Sequence, residues 1–343
     1  MTLAATALDA AHEARFDHLL AMSDHRGLFE HAEGTERRTE HGYCTDDNAR
    51  LLVVTSRTPD VGAAHHLSRL ALHFVRSAQD NDGRCRNRMD AEGRWTDIAT
   101  TEDCWGRSLW GFGVAAAQHH NPAIRRWAQR SFDKSVRQRS PHLRAMAFAA
   151  LGATEIAASD PHHTPARALL SDMLAMVGPL PTDDWTWPQP RLAYGNASLA
   201  EAVMAAGSAL GRPLDVDRGL RMLSWLLALE TRDGHLSVTG VGGRGCDTPG
   251  AQFDQQPIEV AAMADACWRA HMITGDATWI NGVEASTAWF HGRNDAGLVM
   301  FDRRTHGGFD GLHAASVNIN EGAESTLAFV ATMQRGDLLV TAS

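Results

Sequence analysis

The chain has 343 residues, of which 44% are hydrophobic and 21% are charged, and its formal net charge is -9 at pH 7. No apolar run approaches the roughly 20 residues that span a bilayer, and the acidic balance disfavours nucleic acid as a partner. The five cysteines show no short paired spacing, which argues against a disulfide framework. These numbers predict no membrane insertion, no nucleic-acid binding, and a neutral or cationic ligand.

The N-terminal segment lacks the features of a signal peptide, because charged and polar residues interrupt its apolar stretch early. These residues are Asp9, His12, Glu13 and Arg15. We therefore expect a cytoplasmic protein. No low-complexity linker divides the sequence, so one domain over residues 1–343 is expected.

Apolar periodicity and helix breakers predict about twelve helical segments and few strands. The segments lie near residues 5–22, 46–57, 62–79, 103–119, 122–137, 142–158, 164–177, 195–210, 214–230, 256–273, 276–291 and 320–335. Strand signals occur at residues 235–239 and 297–301, both within predicted loops. The sequence therefore indicates an all-α fold with short β-hairpin elements in its loops.

The predicted connections alternate between long and short. Those after the even-numbered helices are short enough to join antiparallel neighbours, whereas most of those after odd-numbered helices are long. The connection around residues 139–141 is the exception, being short on the long-loop side. Six helical hairpins in a ring, an (α/α)6 toroid, would place every long loop on one face.

The two sets of helices also differ in polarity. Residues 65–78 and 123–137 carry their apolar side chains on one side, as outer helices should, whereas the even-numbered helices are apolar or small nearly all round. This second pattern covers residues 109–117, 145–152, 258–268 and 326–333. The even-numbered helices therefore form the predicted inner ring, and their N-terminal ends converge on its central opening.

Acidic residues recur at the starts of four of these inner helices. The starts lie at residues 42–50, 101–107, 254–259 and 318–326. Carboxylates near a helix N-terminus also stabilise the helix dipole, so capping alone could explain one acid at each start. Because the four starts face one opening, we interpret them as parts of one shared site.

The predicted site combines carboxylates, amides, arginines and aromatic rings. Acids and amides hold hydroxyl groups, aromatic faces cover the apolar side of sugar rings, and two acids can divide acid and base roles in glycosidic cleavage. The candidate substrate-binding residues are Tyr43, Asp46, Asn48, Arg50, Glu102, Asp103, Trp105, Arg107, Asp254, Gln255, Gln256, Glu259, Asn318, Asn320 and Glu321. This chemistry is typical of a glycan site.

Asp47 and Glu324 are the candidate catalytic pair. Glu324 lies past the first residues of a helix that then becomes wholly apolar, so its carboxyl is expected to be partly buried with a raised pKa. Asp47 stands about 100° around the helix from Asp46, which leaves one aspartate to cap the helix and the other to face substrate. The acid and base roles could be exchanged between them. Arg50 and Arg107 could clamp these acids in ion pairs.

A metal site is not predicted. The residues that could meet at the ring centre are Cys44, Cys104, His41, His306 and His313, but they show none of the paired spacings typical of zinc ligands. No dinucleotide or phosphate-binding fingerprint is present either. We expect no cofactor.

Four motifs resemble a group of bacterial proteins that occur beside, or fused to, glycosyltransferases. The motifs are residues 42–50 (GYCTDDNAR), residues 103–107 (DCWGR), residues 254–259 (DQQPIE) and residues 322–326 (GAEST), and the resemblance covers about residues 25–335. It implies a functionally linked glycosyltransferase as a partner. It does not imply glycosyltransferase activity, because nothing in the sequence resembles a nucleotide-sugar site.

The predicted architecture also resembles the six-hairpin glycosidase superfamily. That resemblance implies catalytic acids on the loops and starts of the inner helices, and inverting hydrolysis as a common outcome. The sequence hypothesis is a glycoside hydrolase of inverting type acting on an oligosaccharide or polysaccharide. The alternatives are a sugar epimerase or polysaccharide lyase that uses His41, Tyr43, Tyr194 or His313, and a non-catalytic glycan-binding partner of a glycosyltransferase.

Overall fold

A computed structural model describes residues 15–58, 62–181, 184–248 and 250–342. Within these ranges the chain forms twelve α-helices and ten two-residue strands. The helices are α1 Asp17–Ala21, α2 Thr45–Ser56, α3 Gly62–Ala78, α4 Asp103–Gln118, α5 Pro122–Ser135, α6 Leu143–Ser159, α7 Thr164–Val177, α8 Asn196–Leu210, α9 Pro213–Leu229, α10 Pro257–Thr274, α11 Thr278–Phe290 and α12 Ala323–Ala342. None of them is long and apolar enough to cross a membrane.

The even-numbered helices form a closed inner ring. Each packs against the next, from α2 through α4, α6, α8 and α10 to α12, and α12 returns to pack against α2. The helices α3, α5, α7, α9 and α11 each pack outside the inner helix that precedes them in the chain. This arrangement confirms the predicted (α/α)6 toroid.

The helix ends follow local signals in the sequence. Pro122 occupies the first turn of α5, and the side chain of Asn121 accepts a hydrogen bond of 2.8 Å from a backbone N–H there. Helix α10 also begins with proline, and it ends at Gly275 in the left-handed conformation with φ 69°. Such signals explain why most predicted boundaries lie within a few residues of the observed ones.

Three predicted elements differ from the structure. Residues 5–14 of the first predicted helix lie outside the described residues, and α1 covers only Asp17–Ala21. The last helix, predicted over 320–335, covers Ala323–Ala342, because the backbone N–H groups of Glu321 and Gly322 bond to Gly34 and Asp310 in other loops. The segment 297–301 forms only an isolated bridge, between Phe301 and Gly308.

The strands lie in the long loops, where two pairs join separate loops and three pairs each lie within one loop. They are β1 Ala32–Glu33, β2 Glu36–Arg37, β3 Tyr43–Cys44, β4 Arg88–Met89, β5 Arg191–Leu192, β6 Thr231–Arg232, β7 His235–Leu236, β8 Arg244–Gly245, β9 Gly311–Leu312 and β10 Val317–Asn318. All five pairs are antiparallel: β1 with β2, β3 with β4, β5 with β8, β6 with β7, and β9 with β10. Because β3 leads directly into α2, its pairing with β4 fixes where the acidic start of that helix lies.

The inner helices α4 and α6 approach each other closely through glycine. A Cβ added at Gly152 would lie 2.0 Å from the carbonyl oxygen of Leu109, and one at Gly106 would lie 2.2 Å from that of Ala145. No side chain fits at either position, so these glycines set the distance between the two helices. That distance in turn places the starts of α4 and α6 side by side.

Ion pairs hold the inner ring together below its N-terminal face. Asp265 on α10 accepts hydrogen bonds from Arg57, just past α2, at 3.0 Å and from Arg335 on α12 at 2.5 Å. Arg269, one turn further along α10, donates to Glu155 on α6 at 2.6 Å. These contacts join α2, α6, α10 and α12 to one another inside the ring.

Candidate functional site

A polar cavity of about 450 Å³ opens at the centre of the long-loop face. The starts of the inner helices and the loops before them form its walls. Among the sequence-predicted residues, those that line it are Asp46, Asp47, Arg50, Asp103, Arg107, Asp254, Gln256, Asn318 and Glu324. The structure thus brings acids from all four predicted helix starts into one cavity.

Arg50 joins the two candidate catalytic acids. Its Nη1 donates to Oδ1 of Asp47 at 2.5 Å, and its Nη2 donates to Oε2 of Glu324 at 2.6 Å. Asp47 lies one helical turn before Arg50 on α2, whereas Glu324 lies in the first turn of α12. One guanidinium therefore sets the relative positions of two carboxylates that are far apart in the sequence.

The two acids of this pair lie in different environments. Asp47 is only 3% exposed, whereas the side chain of Glu324 is 41% exposed to the cavity. Burial raises the pKa of Asp47 to about 7, with Arg50 opposing the rise and Glu324 adding to it. Near neutral pH Asp47 can therefore hold a proton beside a more solvated carboxylate.

Asp46 and Arg107 form the adjoining part of the wall. The Nε of Arg107 lies 3.5 Å from Oδ1 of Asp46, and neither atom makes a hydrogen bond. The guanidinium stacks 3.9 Å from the ring centroid of Phe148, and burial lowers the pKa of Arg107. The other carboxylate oxygen of Asp46 accepts from Asn87 at 3.0 Å. These two atoms are themselves buried and face each other, so Asp46 and Arg107 hold one another in the wall while both residues line the cavity.

The opposite wall carries acids that form no ion pair with arginine. Asp254 lies 4.0 Å from His313, and its buried Oδ1 makes no hydrogen bond. Asp310 accepts a hydrogen bond of 2.9 Å from the backbone N–H of Gly322. Burial raises the pKa of both Asp254 and Asp310. This wall offers acceptors for the hydroxyl groups of a ligand.

Tyr194 and Asp103 form the third part of the wall. The tyrosine hydroxyl donates to Oδ2 of Asp103 at 2.7 Å, and 46% of Tyr194 is exposed. The Arg144 guanidinium lies 5.5 Å from the centroid of its ring. Tyr194 thus presents a supported aromatic face at the edge of the cavity.

Three predicted substrate-binding residues, on β3, α2 and α4, turn into the protein. Tyr43 is fully buried and donates to Asp24 at 2.8 Å. The side-chain amide of Asn48 accepts a hydrogen bond of 3.0 Å from the backbone N–H of Leu28 and donates one of 3.2 Å to the carbonyl oxygen of Leu28. Trp105 is fully buried, and its indole donates to a backbone carbonyl at 3.3 Å. These side chains hold the helix starts in place and do not line the cavity.

Glu259 and Gln255 also bond to other groups of the protein and do not line the central cavity. Glu259 accepts from the backbone N–H of Gly195 and, at 3.0 Å, from that of Asn196, so it binds the N-terminus of the neighbouring inner helix. Gln255 is fully buried and donates to Asp295 at 2.5 Å. Glu259 of α10 thus caps the neighbouring inner helix α8, a contact between distant segments that their sequences alone do not reveal.

Three further predicted residues lie outside the central cavity. Glu321 is 1% exposed and accepts from Thr305 at 2.6 Å, and Asn320 accepts from the backbone N–H of Gly34 at 2.9 Å. Both therefore fasten loops together. Glu102 is exposed at the start of α4 and lines a neighbouring groove. The acidic start of α12 thus contributes Glu324 to the cavity and turns Glu321 away from it.

The structure adds lining residues that the sequence analysis did not propose for the site. They are Glu30, His31, Arg88, Asp310, Gly322 and Ser325, whereas Tyr194 and Cys44, which also line the cavity, were considered only for an epimerase and for a metal site. Glu30 and Arg88 form an ion pair between two loops, and no periodicity marks either residue. Asp310 stands between Phe309 and Gly311 in a glycine-rich loop, a weak signal for a special backbone position.

One group of potential metal ligands lies at the cavity wall among the described residues. Ligand atoms of Glu30, Cys44 and Asp47 all lie within 4.8 Å of one another. Both carboxylates are paired with arginine, Glu30 with Arg88 and Asp47 with Arg50. Burial raises the pKa of the Cys44 thiol well above its usual value, which keeps it protonated. This environment favours ion pairing over binding of a cation.

The sequence matches no protein-family model and no curated protein. Solved structures are similar to it over nearly their whole length. A cellobiose 2-epimerase from Bacillus thermoamylovorans has a TM-score of 0.72 at 8% identity, covering 96% of this chain and 99% of that one. A GH76 α-mannanase from Bacteroides thetaiotaomicron has a TM-score of 0.63 at 9% identity, covering 98% of this chain and 97% of that one. The chain has their (α/α)6 fold.

A third similar structure is an α-1,6-mannanase from Salegentibacter in complex with α-1,6-mannotetrose. It has a TM-score of 0.65 at 11% identity and covers 97% of this chain and 98% of that one. The crystallised protein is an inactive variant in which two consecutive aspartates are replaced by alanine. At these identities the similarity shows the fold, and the chemistry has to be argued from the site.

Proposed function

We propose that this protein is a glycoside hydrolase that cleaves a neutral glycan in the central cavity. The observation that carries the proposal is the position of Asp47 and Glu324, two carboxylates of unequal burial held by one arginine at a polar cavity. Unequal environments are what separates the acid and base roles of two carboxylates. The similar folds support the substrate class, because they include mannanases and sugar epimerases.

Asp47 is the proposed general acid and Glu324 the proposed general base. With its pKa raised to about 7, Asp47 can carry the proton that the departing glycosidic oxygen takes as its bond to the anomeric carbon breaks. Glu324 removes a proton from the water that forms the new bond to that carbon. The overall reaction consumes one water and yields a shorter glycan with a new hydroxyl group on each product.

The remaining cavity residues have supporting roles in this proposal. Arg50 orients both acids, and Asp46 and Arg107 bind substrate hydroxyl groups through the polar atoms that border the cavity. The inactive mannanase variant supports a role for Asp46 and Asp47, because two consecutive aspartates are replaced by alanine in that inactive protein. Asp254 and Asp310 accept hydroxyl groups from the other side of the sugar.

The proposal is tested with Asp47→Asn and Glu324→Gln, assayed on a panel of neutral oligosaccharides that the wild type cleaves. Each substitution should lower kcat by about 10² to 10⁴, the usual contribution of a general acid or base. Glu284→Gln, on the exposed side of α11, is the charge-matched control and should keep wild-type activity. Full activity in both cavity variants would refute the assignment.

The stereochemistry is tested separately by proton NMR of the first-formed product. An inverting enzyme gives the anomer opposite to that of the substrate, and its two carboxyls stand about 6.5 to 9.5 Å apart across the bound sugar. We expect inversion, because water can reach the exposed carboxylate of Glu324 directly from the cavity. Retention would require one acid to act as a nucleophile.

Sugar epimerisation is the second candidate, and it is favoured by the similar epimerase folds and by Tyr194 at the cavity edge. Among the residues proposed for it, Tyr43 is buried on Asp24 and His41 does not line the cavity. Burial and the hydrogen bond to Asp103 raise the pKa of Tyr194, which makes it a poor base. NMR analysis of products from a disaccharide would reveal an epimerised sugar of unchanged chain length.

A further inference from the structure

A second cavity adjoins the central one and has no role in the mechanism above. This side groove has a volume of about 640 Å³ and lies between the starts of α4 and α6 and the loop before α8. Asp103 and Tyr194 line both cavities and are joined by a hydrogen bond of 2.7 Å. The two spaces therefore meet at this pair of side chains.

The walls of the side groove carry groups that suit a neutral polyhydroxylated ligand. Acceptors come from Asp97, Glu102 and Asp103, and amides come from Asn87 and Gln189. The three carboxylates outnumber the one arginine of the groove, Arg144, so an anionic group is disfavoured, whereas each carboxylate can accept a hydrogen bond from a hydroxyl group.

Backbone donors are available at the same place. The first residues of α4 and α6 border the groove, and neither helix has a side-chain cap at its N-terminus. The N–H groups of a first helical turn have no partner inside the helix, so they can donate to ligand oxygens. Donors and acceptors thus occur together, as a sugar ring requires.

The aromatic face of Tyr194 lies at the junction of the two cavities. It is 46% exposed, and Arg144 supports the ring from one side. The other tyrosine of the chain, Tyr43, is fully buried. An exposed aromatic ring between two polar cavities can pack against the apolar face of a sugar that passes from one to the other.

We propose that the side groove is a second sugar-binding site and that the substrate is a neutral oligosaccharide spanning both cavities past Tyr194. This inference rests on the proposed function for the location of the cleaved bond. The volume of the side groove lies within the range typical of small-ligand sites, about 300 to 1,000 Å³. Longer neutral glycans should therefore be better substrates than those that fill only the central cavity.

Ala193→Trp tests the proposal by filling the groove. Ala193 is exposed and lines the groove, so a large side chain can be added there without disturbing the core. The probes are α-1,6-linked mannobiose and mannotetraose and the matching cello-oligosaccharides. The ratio of kcat/KM for the tetrasaccharide to that for the disaccharide should fall at least tenfold in this variant. Glu284→Gln should leave the ratio unchanged, and circular dichroism verifies folding.

Binding measurements separate failure of this inference from failure of the proposed hydrolase. Calorimetry on Glu324→Gln, with and without Ala193→Trp, should show tetrasaccharide affinity at least tenfold weaker in the double variant. If the wild type cleaves glycans but neither the ratio nor the affinity changes, the side groove is not a sugar site. If the wild type cleaves none of them while the affinity loss persists, the second site stands and the hydrolase proposal fails.

Two other outcomes would overturn the inference. No measurable binding of any neutral oligosaccharide in the panel would exclude this ligand class. Tighter binding of a uronic-acid tetrasaccharide than of its neutral counterpart, lost in Ala193→Trp, would show that the groove selects charge. Gln189→Ala, which removes a groove amide without adding bulk, should weaken tetrasaccharide binding by a smaller factor than the tryptophan substitution.

Discussion

The buried carboxylate of Asp47 accepts a hydrogen bond of 2.5 Å from Arg50, one turn further along the same inner helix. Both side chains are more than nine-tenths buried, yet both border the central cavity. Burial favours the neutral acid and Arg50 favours the charged form, and these opposing effects leave the pKa of Asp47 at about 7. The proposed acid is thereby suited to proton transfer near neutral pH.

The pH dependence of hydrolysis should follow from this balance. Because Asp47 must be protonated to act as the acid, kcat/KM should fall tenfold per pH unit as pH rises above about 7. The measurement is a pH profile of kcat/KM on a cleaved oligosaccharide. In Asp47→Asn the residual activity should lose this alkaline decline. A wild-type profile that stays flat from pH 6 to 9 would contradict Asp47 as the acid.

Replacing Arg50 should move that profile. In Arg50→Gln the charge that lowers the pKa of Asp47 is gone, so the alkaline decline should shift to higher pH while the maximal rate falls. We expect about a 10²-fold loss in kcat, since two acids lose their shared orienting group. Arg50→Lys serves as the matched variant. It keeps the positive charge but cannot bond to both carboxylates as arginine does. Its kcat should therefore fall, with a smaller shift in the pH of the alkaline decline.

Glu259 should affect stability more than catalysis. It binds the N-terminus of α8 through the backbone N–H groups of Gly195 and Asn196, and it does not line the central cavity. Glu259→Gln keeps one acceptor oxygen and leaves a buried donor without its charged partner, at a cost of about 1 to 3 kcal/mol in the free energy of unfolding. Urea denaturation measures this loss. A large drop in kcat of the folded variant would instead support direct contact with substrate.

Asp265 should be a main stabilising residue of the ring. Burial opposes its ionisation, but Arg335 and Arg57 outweigh burial and lower its pKa to about 2. Because this pKa is lower in the folded state, ionised Asp265 stabilises the folded protein fully at pH values above its unfolded pKa of 3.8. That contribution is lost as pH falls towards about 2.

Asp265→Asn tests this role at neutral pH. Leaving two buried arginines without their anion should cost about 3 to 5 kcal/mol in the free energy of unfolding. Thermal and urea denaturation at pH 7 and at pH 3 measure the effect, which should shrink at the lower pH. Glu284→Gln is the control for loss of one negative charge on an exposed surface. An equal loss in the two variants would exclude a special role for Asp265.

The fold could be read from the sequence because each signal for it is local. Apolar periodicity separates outer helices such as α3 from inner ones such as α6, and the alternating loop lengths imply hairpins in a ring. The same reasoning placed Asp47 and Glu324 at one opening, because inner helices of a toroid all start on the same face. The prediction of the fold and the placement of these acids both depend on patterns among residues close together in the sequence.

The tertiary structure decided which polar residues at those starts face the cavity. Glu259 and Glu324 occupy similar positions in a first turn, yet one binds the neighbouring helix and the other faces the cavity. That difference depends on where α8 and α2 lie relative to each acid. Glu30 and Asp310 enter from loops whose course is fixed by strand pairing and by contacts with distant segments of the chain. A carboxylate has the same local signature whether it caps a helix or faces a ligand, so only contacts between distant segments distinguish the two.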